Sequence, residues 1–292
     1  MRSWLSQYEM RSASDLGEAL DLLSRRPGEW TPFAGGTDLM VLLEAGQLPR
    51  RRFVDLWRIK ELRGIAASAD GVRIGALATY TDLLTDPIIA AEFPLEAAAA
   101  RETGAVAIQN RGTVGGNIAN ASPAADLPPA LLVYDAALEL ASARGRRHVA
   151  YESFHLGYKR MDLAPDELIV GVTLPRERSA QGGRDAGWHH RETYRKVGTR
   201  RAQAISKICF AASVDLDGGV VRDIRIALGS VAPTVVRARS AEGSIRSQAI
   251  SSQTIAAARL ALRADISPID DIRSTADYRL LVAGNLLEEL LS

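Results

Sequence analysis

Apolar and polar positions along the chain follow two periods in turn, and the points where one gives way to the other mark the elements. Leu16, Ala19, Leu20 and Leu23 recur at helical spacing behind Asp15 and Glu18, which predicts a helix ending at Pro27-Gly28. A short apolar stretch from Trp30 to Ala34 runs into Gly35-Gly36, and residues 38–45 then return to helical character. Val72, Ile74, Ala76 and Ala78 alternate with Arg73 and Gly75 between them, as in a half-buried strand. Residues 81–89 and 95–103 predict helices, the second rich in alanine. Residues 112–129 show no regular period and read as turns. Short strands are expected over 131–172, closing with the apolar run 168–174 before Pro175.

Residues 176–190 are charged, glycine-rich and nearly free of aliphatic side chains, the composition of a linker. A domain boundary is expected there, dividing the chain into 1–176 and 177–292. Beyond it, residues 205–216 and 220–231 are strand-like runs joined by Asp217-Gly218-Gly219, a hairpin signal. Helical patterns follow at 250–263 and 276–291. The fold class expected is α+β.

At 292 residues and 31.5 kDa, the chain has room for one large domain or two modest ones. Hydrophobic residues at 47% and charged residues at 24% match a soluble globular protein. The 36 basic and 35 acidic side chains leave a net charge of +1, which argues against a phosphate-neutralising nucleic-acid surface. No apolar run approaches membrane-spanning length, and the N-terminal stretch lacks the apolar core of a signal peptide, so a cytoplasmic protein is expected. The single cysteine, Cys209, rules out an internal disulfide framework, a four-cysteine zinc site and a cysteine-held iron–sulfur cluster on this chain. Its apolar neighbours Ile208 and Phe210 predict a buried thiol. His189 and His190 stand in the linker with no ligand spacing around them and are expected to be solvated. Trp4, Trp30, Trp57 and Trp188 show no stacking pattern and are assigned to packing.

Two glycine clusters carry the candidate chemistry. Ala34-Gly35-Gly36-Thr37-Asp38 sits between a strand-like run and a helix start, where glycines allow positive φ and close approach of a ligand. Unpaired N–H groups at the helix start suit a phosphate, while a tight turn with Thr37 or Asp38 as N-cap is the alternative. The cluster matches neither GxGxxG nor GxxxxGK(S/T), which disfavours a Rossmann site or a P-loop. The second cluster, residues 110–123, packs three glycines, three asparagines, Arg111, Thr113 and Ser122 around Val114 and Ile118. Read as a buried irregular loop, it has backbone amides that a polyanionic ligand would pair; a large structural turn is the alternative. Asp126 follows, a candidate acceptor for ribose hydroxyls.

The string AGGTD followed by NRGTVGGNIANASPAADLPPALL resembles the flavin-binding subunit of molybdenum hydroxylases, a group that includes xanthine dehydrogenase and carbon monoxide dehydrogenase. Gly157-Tyr158, Pro165 to Ile169, Tyr194 to Arg201, Ala232-Pro233-Thr234 and Tyr278-Arg279 extend the resemblance, in order, over nearly the whole chain. It implies a two-part FAD-binding domain of the vanillyl-alcohol-oxidase type, followed by a small C-terminal domain with a three-stranded antiparallel sheet and helices. By the same resemblance, the pyrophosphate of FAD lies against Ala34, Gly35, Gly36, Thr37, Asp38 and Leu39 and against Thr113, Val114, Gly115, Gly116 and Asn117. Asp126 contacts the cofactor, and Ile169 and Lys196 lie near the isoalloxazine. No histidine lies in either glycine cluster, so FAD is expected to be non-covalent, and no side chain is named as catalytic.

The molybdenum cofactor and the 2Fe-2S clusters are expected on a large and a small partner subunit, with electrons passing through FAD to NAD or another acceptor. The segment GTRRAQAIS lacks the acidic residues of the fused eukaryotic xanthine dehydrogenases, which leaves NAD open as acceptor. The alternative is a stand-alone flavin-dependent reductase of the same fold. Only four of the 36 basic residues are lysines, and Lys196 is one of them.

Overall fold

The structure, a computed structural model, describes residues 7–176, 188–200 and 203–292. Most of the expected linker lies outside the described residues. The chain opens with β1 (Glu9–Ser12), α1 (Leu16–Arg25), β2 (Thr31–Phe33), α2 (Leu39–Glu44) and β3 (Arg52–Asp55). Helix α1 begins where the pattern placed it: the Asp15 carboxylate accepts from the Glu18 N–H at 2.9 Å, and Glu18 reaches back to the Ser14 N–H at 2.8 Å. Such a cap is worth about 1 kcal/mol. Leu16, Ala19 and Leu23 are buried with Trp30, Val54 and Leu56. The three strands form a parallel sheet in the order β1-β3-β2.

Next come β4 (Ile65–Ala67) and β5 (Gly71–Gly75), and then six short helices. These are α3 (Tyr80–Thr85), α4 (Pro87–Glu92), α5 (Pro94–Glu102), α6 (Val106–Gln109), α7 (Val114–Ala119) and α8 (Pro128–Val133). The stretch read as one helix over 81–89 is two. Pro87 has no N–H to continue α3, and Asp86 caps α4 by accepting from the Ile88 and Ile89 amides. Strands β6 (Ala137–Ser142), β7 (Gly145–Ala150), β8 (His155–Gly157), β9 (Arg160–Met161) and β10 (Leu168–Pro175) follow. The main sheet runs β4-β5-β10-β6-β7 and is antiparallel, with the apolar β10 at its centre.

The C-terminal part contains β11 (Trp188–Val197), β12 (Ile208–Asp217), β13 (Val220–Gly229), β14 (Val236–Arg237), α9 (Arg239–Ile245), α10 (Ser252–Asp265) and α11 (Ala276–Leu291). Three ten-residue strands form its antiparallel sheet, with the two-residue β14 at one edge. Gly218 (φ 55°) and Gly219 (φ 81°) turn the β12–β13 hairpin in left-handed conformations that glycine takes without strain. His190 is exposed, as expected, but it stands in a strand and not in a linker. It lies in β11 opposite Asp215, with Nδ1 2.6 Å from Asp215 Oδ1 and Nε2 3.3 Å from Glu192 Oε1. Those two hydrogen bonds, the one to Asp215 first, push its pKa up to about 9.

The two parts are joined through α8, whose six residues are all buried. Its last carbonyls are satisfied from the C-terminal sheet: Arg237 donates to Leu132 O at 3.0 Å and Arg225 to Val133 O at 3.3 Å. Arg237 also pairs with Asp135 at 2.8 Å and with the buried Glu242, which in turn accepts from the Ile226 N–H at 2.7 Å. The Tyr134 hydroxyl accepts from the Leu95 N–H and donates to Glu192 at 2.8 Å, tying α5 to β11.

Candidate cofactor-binding site

The first glycine cluster is the turn between β2 and α2. Gly36 has φ +76°, and a Cβ there would stand 2.5 Å from the Phe33 ring; a Cβ on Gly35 would run into the Arg111 carbonyl. No side-chain hydrogen bond caps α2, so the capped-turn alternative is not what forms. The N–H groups of Gly35, Gly36, Thr37, Asp38 and Leu39 find no acceptor among the described residues. Consecutive unpaired amides around a left-handed residue form a concavity that suits phosphate oxygens. Gly35, Gly36 and Thr37 line a pocket of about 750 Å³ together with Met40, Ile108 and Arg111.

The second cluster is brought against the first. Arg111 O abuts Gly35, and Asn120 Nδ2 lies 3.4 Å from Asp38 Oδ1. Its core, however, is the helical turn α7, and this corrects the expectation of an irregular loop with unpaired amides. The Val114 and Gly115 N–H groups donate to Ala78 O and Ala76 O, both at 2.9 Å. Those of Gly116 and Asn117 go to Thr113, at Oγ1 and O respectively. Gly115 is small for packing, since a Cβ there would lie 2.7 Å from the Ala76 Cβ; Gly116 is exposed. What α7 offers a ligand is its side chain at Asn117. Nδ2 donates to the Tyr80 hydroxyl at 2.9 Å, while the buried Oδ1 has no partner among the described residues.

Asp126 and Lys196 meet as a buried pair. Lys196 Nζ lies 2.8 Å from Asp126 Oδ2 and donates also to Glu102 O at 2.8 Å. Asp126 Oδ1 is buried with no partner among the described residues. Burial pushes the Asp126 carboxyl up to about 6, against the opposing pull of Lys196. Behind it, the Tyr194 hydroxyl donates to Asp126 O at 2.9 Å and lies 2.9 Å from Cys209 Sγ, a buried thiol whose pKa burial raises. Ile169 is buried in β10 next to an irregularity in its pairing with β6, part of the core cluster that also contains Tyr80 and Val114. Tyr80 joins the site without having been singled out from the sequence; Arg111 was read only as part of the second cluster, and Trp57, assigned to packing, carries the Arg63 and Arg111 guanidinium groups on its ring.

Residues 6–177 match the family model described as the FAD binding domain in molybdopterin dehydrogenase, and residues 192–292 match that of the CO dehydrogenase flavoprotein C-terminal domain. The chain belongs to the FAD-binding subunits of the molybdopterin dehydrogenases. The xanthine dehydrogenase FAD-binding subunit of Escherichia coli O157:H7 is 33% identical over 281 residues, which cover 96% of this chain and 93% of that one. The carbon monoxide dehydrogenase medium chain of Hydrogenophaga pseudoflava is 32% identical over 286 residues, covering 98% and 96%. A solved structure of carbon monoxide dehydrogenase from that organism superposes with a TM-score of 0.89 at 32% identity, covering 98% of this chain and 96% of that one. Quinoline 2-oxidoreductase from Pseudomonas putida 86 gives 0.85 at 27% identity, covering 97% and 95%.

The FAD-binding subunit is thus a flavoprotein component of an oxidoreductase, in the medium-subunit class of molybdenum hydroxylase complexes. Among the described residues, no group of three or more His, Cys, Asp or Glu side chains could hold a metal ion, and no helix is long and apolar enough to cross a membrane.

Proposed function

We propose that this subunit binds one FAD non-covalently and relays electrons in the cytoplasm. They would come from 2Fe-2S clusters on a small partner subunit, themselves reduced by a molybdenum cofactor on a large one, and leave to NAD or another acceptor. The observation that carries the reading is the presence of both unpaired donors and buried unpaired acceptors in the residues that the resemblance assigns to the cofactor. The free amides of residues 35–39 suit the phosphates, and the buried unpaired acceptors Asn117 Oδ1 and Asp126 Oδ1 suit a hydroxyl-bearing chain. Ala34 to Leu39 would hold the pyrophosphate with Thr113 to Asn117 behind them, Asp126 would receive a donor of the cofactor, and Ile169 and Lys196 would lie by the isoalloxazine. When bound, FAD supplies the chemistry of accepting and passing on electrons. The chain's own residues orient it and set the charge beside it, with the Lys196 ammonium favouring negative charge on the ring.

The chain divides, on this reading, into 1–176 for the cofactor and 177–292 for the family's C-terminal domain. Two measurements test it. Acid precipitation of the purified chain should release all the flavin into the supernatant; colour left in the pellet would contradict non-covalent binding. In an anaerobic titration, a purine should leave the flavin oxidised until the cluster-bearing and molybdenum-bearing chains are added. Bleaching by a purine with no partner present would instead favour a stand-alone reductase.

A further inference from the structure

Many arginines in this chain have carboxylate partners. Arg111 has none among the described residues, and neither does Arg63. Both are packed on one indole. The Arg111 guanidinium carbon lies 3.7 Å from the Trp57 ring centroid and that of Arg63 lies 4.4 Å from it. The Trp57 backbone is held at both polar atoms: Arg63 donates to Trp57 O at 2.6 Å, and the Trp57 N–H donates to Asp55 Oδ1 at 2.9 Å. Two like charges therefore share one ring, with no carboxylate partner for either among the described residues. Arg111 lines the same pocket as the unpaired amides of the glycine turn.

We propose that Arg111, braced on Trp57 with Arg63, is the positioning cation for the diphosphate of the dinucleotide, opposite the amides of Gly35 to Leu39. The inference rests on the reading of the chain as an FAD-binding subunit and adds a residue to it. The amides supply hydrogen bonds but no net charge, whereas a diphosphate diester arrives with two negative charges. A guanidinium meets such oxygens with parallel N–H donors in a fixed plane. Stacking on an indole holds that plane in place before the ligand arrives, which lowers the ordering cost of binding. A lysine would match the charge and lack both the stack and the paired donors.

The test uses the full chain stripped of flavin, titrated with FAD, with ADP as a competitor that carries the diphosphate but no flavin. A charge-assisted hydrogen bond contributes about 1.5–3 kcal/mol. R111Q should therefore weaken FAD about ten- to a hundredfold and weaken ADP competition by a similar factor. R111K should recover part of the loss, and raising the salt should cost R111Q less affinity than it costs the unaltered chain. W57L, which keeps the charge and removes its brace, should fall between. Unchanged FAD affinity in R111Q would overturn the proposal. So would loss of FAD with undiminished ADP competition, since that places Arg111 against the flavin half. If R111Q does not fold, R111K decides: partial loss of both ligands is expected, and no loss of either overturns the assignment. Failure of the unaltered chain to bind FAD at all would instead sink the underlying reading together with this one.

Discussion

Lys196→Ala should destabilise the flavin-free chain in a strongly pH-dependent way. The substitution removes the ammonium that donates to Asp126 Oδ2 and to Glu102 O, both at 2.8 Å. Asp126 Oδ1 already lacks a hydrogen-bond partner among the described residues, so the buried carboxyl loses its cation and keeps the Thr103 hydroxyl as a neighbour that favours its charged form. Removing one member of a buried ion pair costs about 3–5 kcal/mol. The carboxyl escapes part of that cost by taking up a proton. In the folded chain it ionises at about 6, above its ordinary 3.8, because burial outweighs the Lys196 charge. A carboxyl raised in this way favours the folded state most below 3.8, and that contribution is lost as pH rises through 6. Lys196 limits the loss, so its removal should matter most on the alkaline side.

Urea unfolding followed by tryptophan fluorescence should show a destabilisation of about 3 kcal/mol near pH 8. With a urea slope of about 2–3 kcal/mol per molar, the midpoint moves by about 1 M. Near pH 5, where Asp126 is mostly protonated, the shift should shrink to a minor fraction of this. In D126N the further change K196A should cost far less than it does alone, because no carboxylate remains to be stranded. Equal midpoint shifts at both pH values would refute the reasoning, since they would mean that Lys196 acts by packing and not by charge.

Gly35→Ala should abolish FAD binding and broaden unfolding, because its Cβ runs into the Arg111 carbonyl; Gly116→Ala, exposed and met only by its own Thr113 Oγ1, should keep the fold, as circular dichroism would show. Glu242→Ala strands the buried Ile226 N–H and leaves Arg237 only Asp135 and Leu132 O, and should cost about 1–3 kcal/mol in thermal or urea unfolding. His190→Gln should lower stability at pH 6, below the ordinary histidine value of 6.5, where the contribution of the raised histidine is present in full. By pH 10, above its folded value of about 9, the difference should be gone; a constant difference across that range would show the Asp215 and Glu192 contacts to be uncharged in effect.

The parts of the fold legible in the sequence are those whose cause is local. The Asp15 cap, the alternation of Val72 and Ile74 and the Gly218-Gly219 hairpin each depend on neighbours within a few positions, and each appears at its expected place. Helix α7 was hidden because Gly115 and Gly116 are poor helix formers, and only tertiary contact with Ala76 and Ala78 makes the turn worthwhile. The left-handed turn at Gly36 and the close approach at Gly35 were legible because backbone freedom is written into the residue type. The Trp57–Arg111 stack joins residues 54 positions apart, and the Asp126–Lys196 pair joins residues 70 apart. No periodicity carries that information. The pairing of the exposed His190 was not legible for a related reason, since its partner Asp215 belongs to the next strand of the sheet.

On the proposed placement of FAD beside Asp126 and Lys196, the carbonyl end of α8 governs how the cofactor leaves. Leu132 O and Val133 O are capped by Arg237 and Arg225, side chains from a sheet that lies a hundred residues away in sequence. Asp126, just ahead of α8, is held by Lys196 and Tyr194 of that same sheet. Opening the cofactor site along this junction would strip several buried polar groups at once, so it cannot proceed as a small hinge fluctuation. Flavin exchange should then be slow and should track the rate at which the whole chain unfolds, which makes retained colour a reporter of the integrity of both parts together.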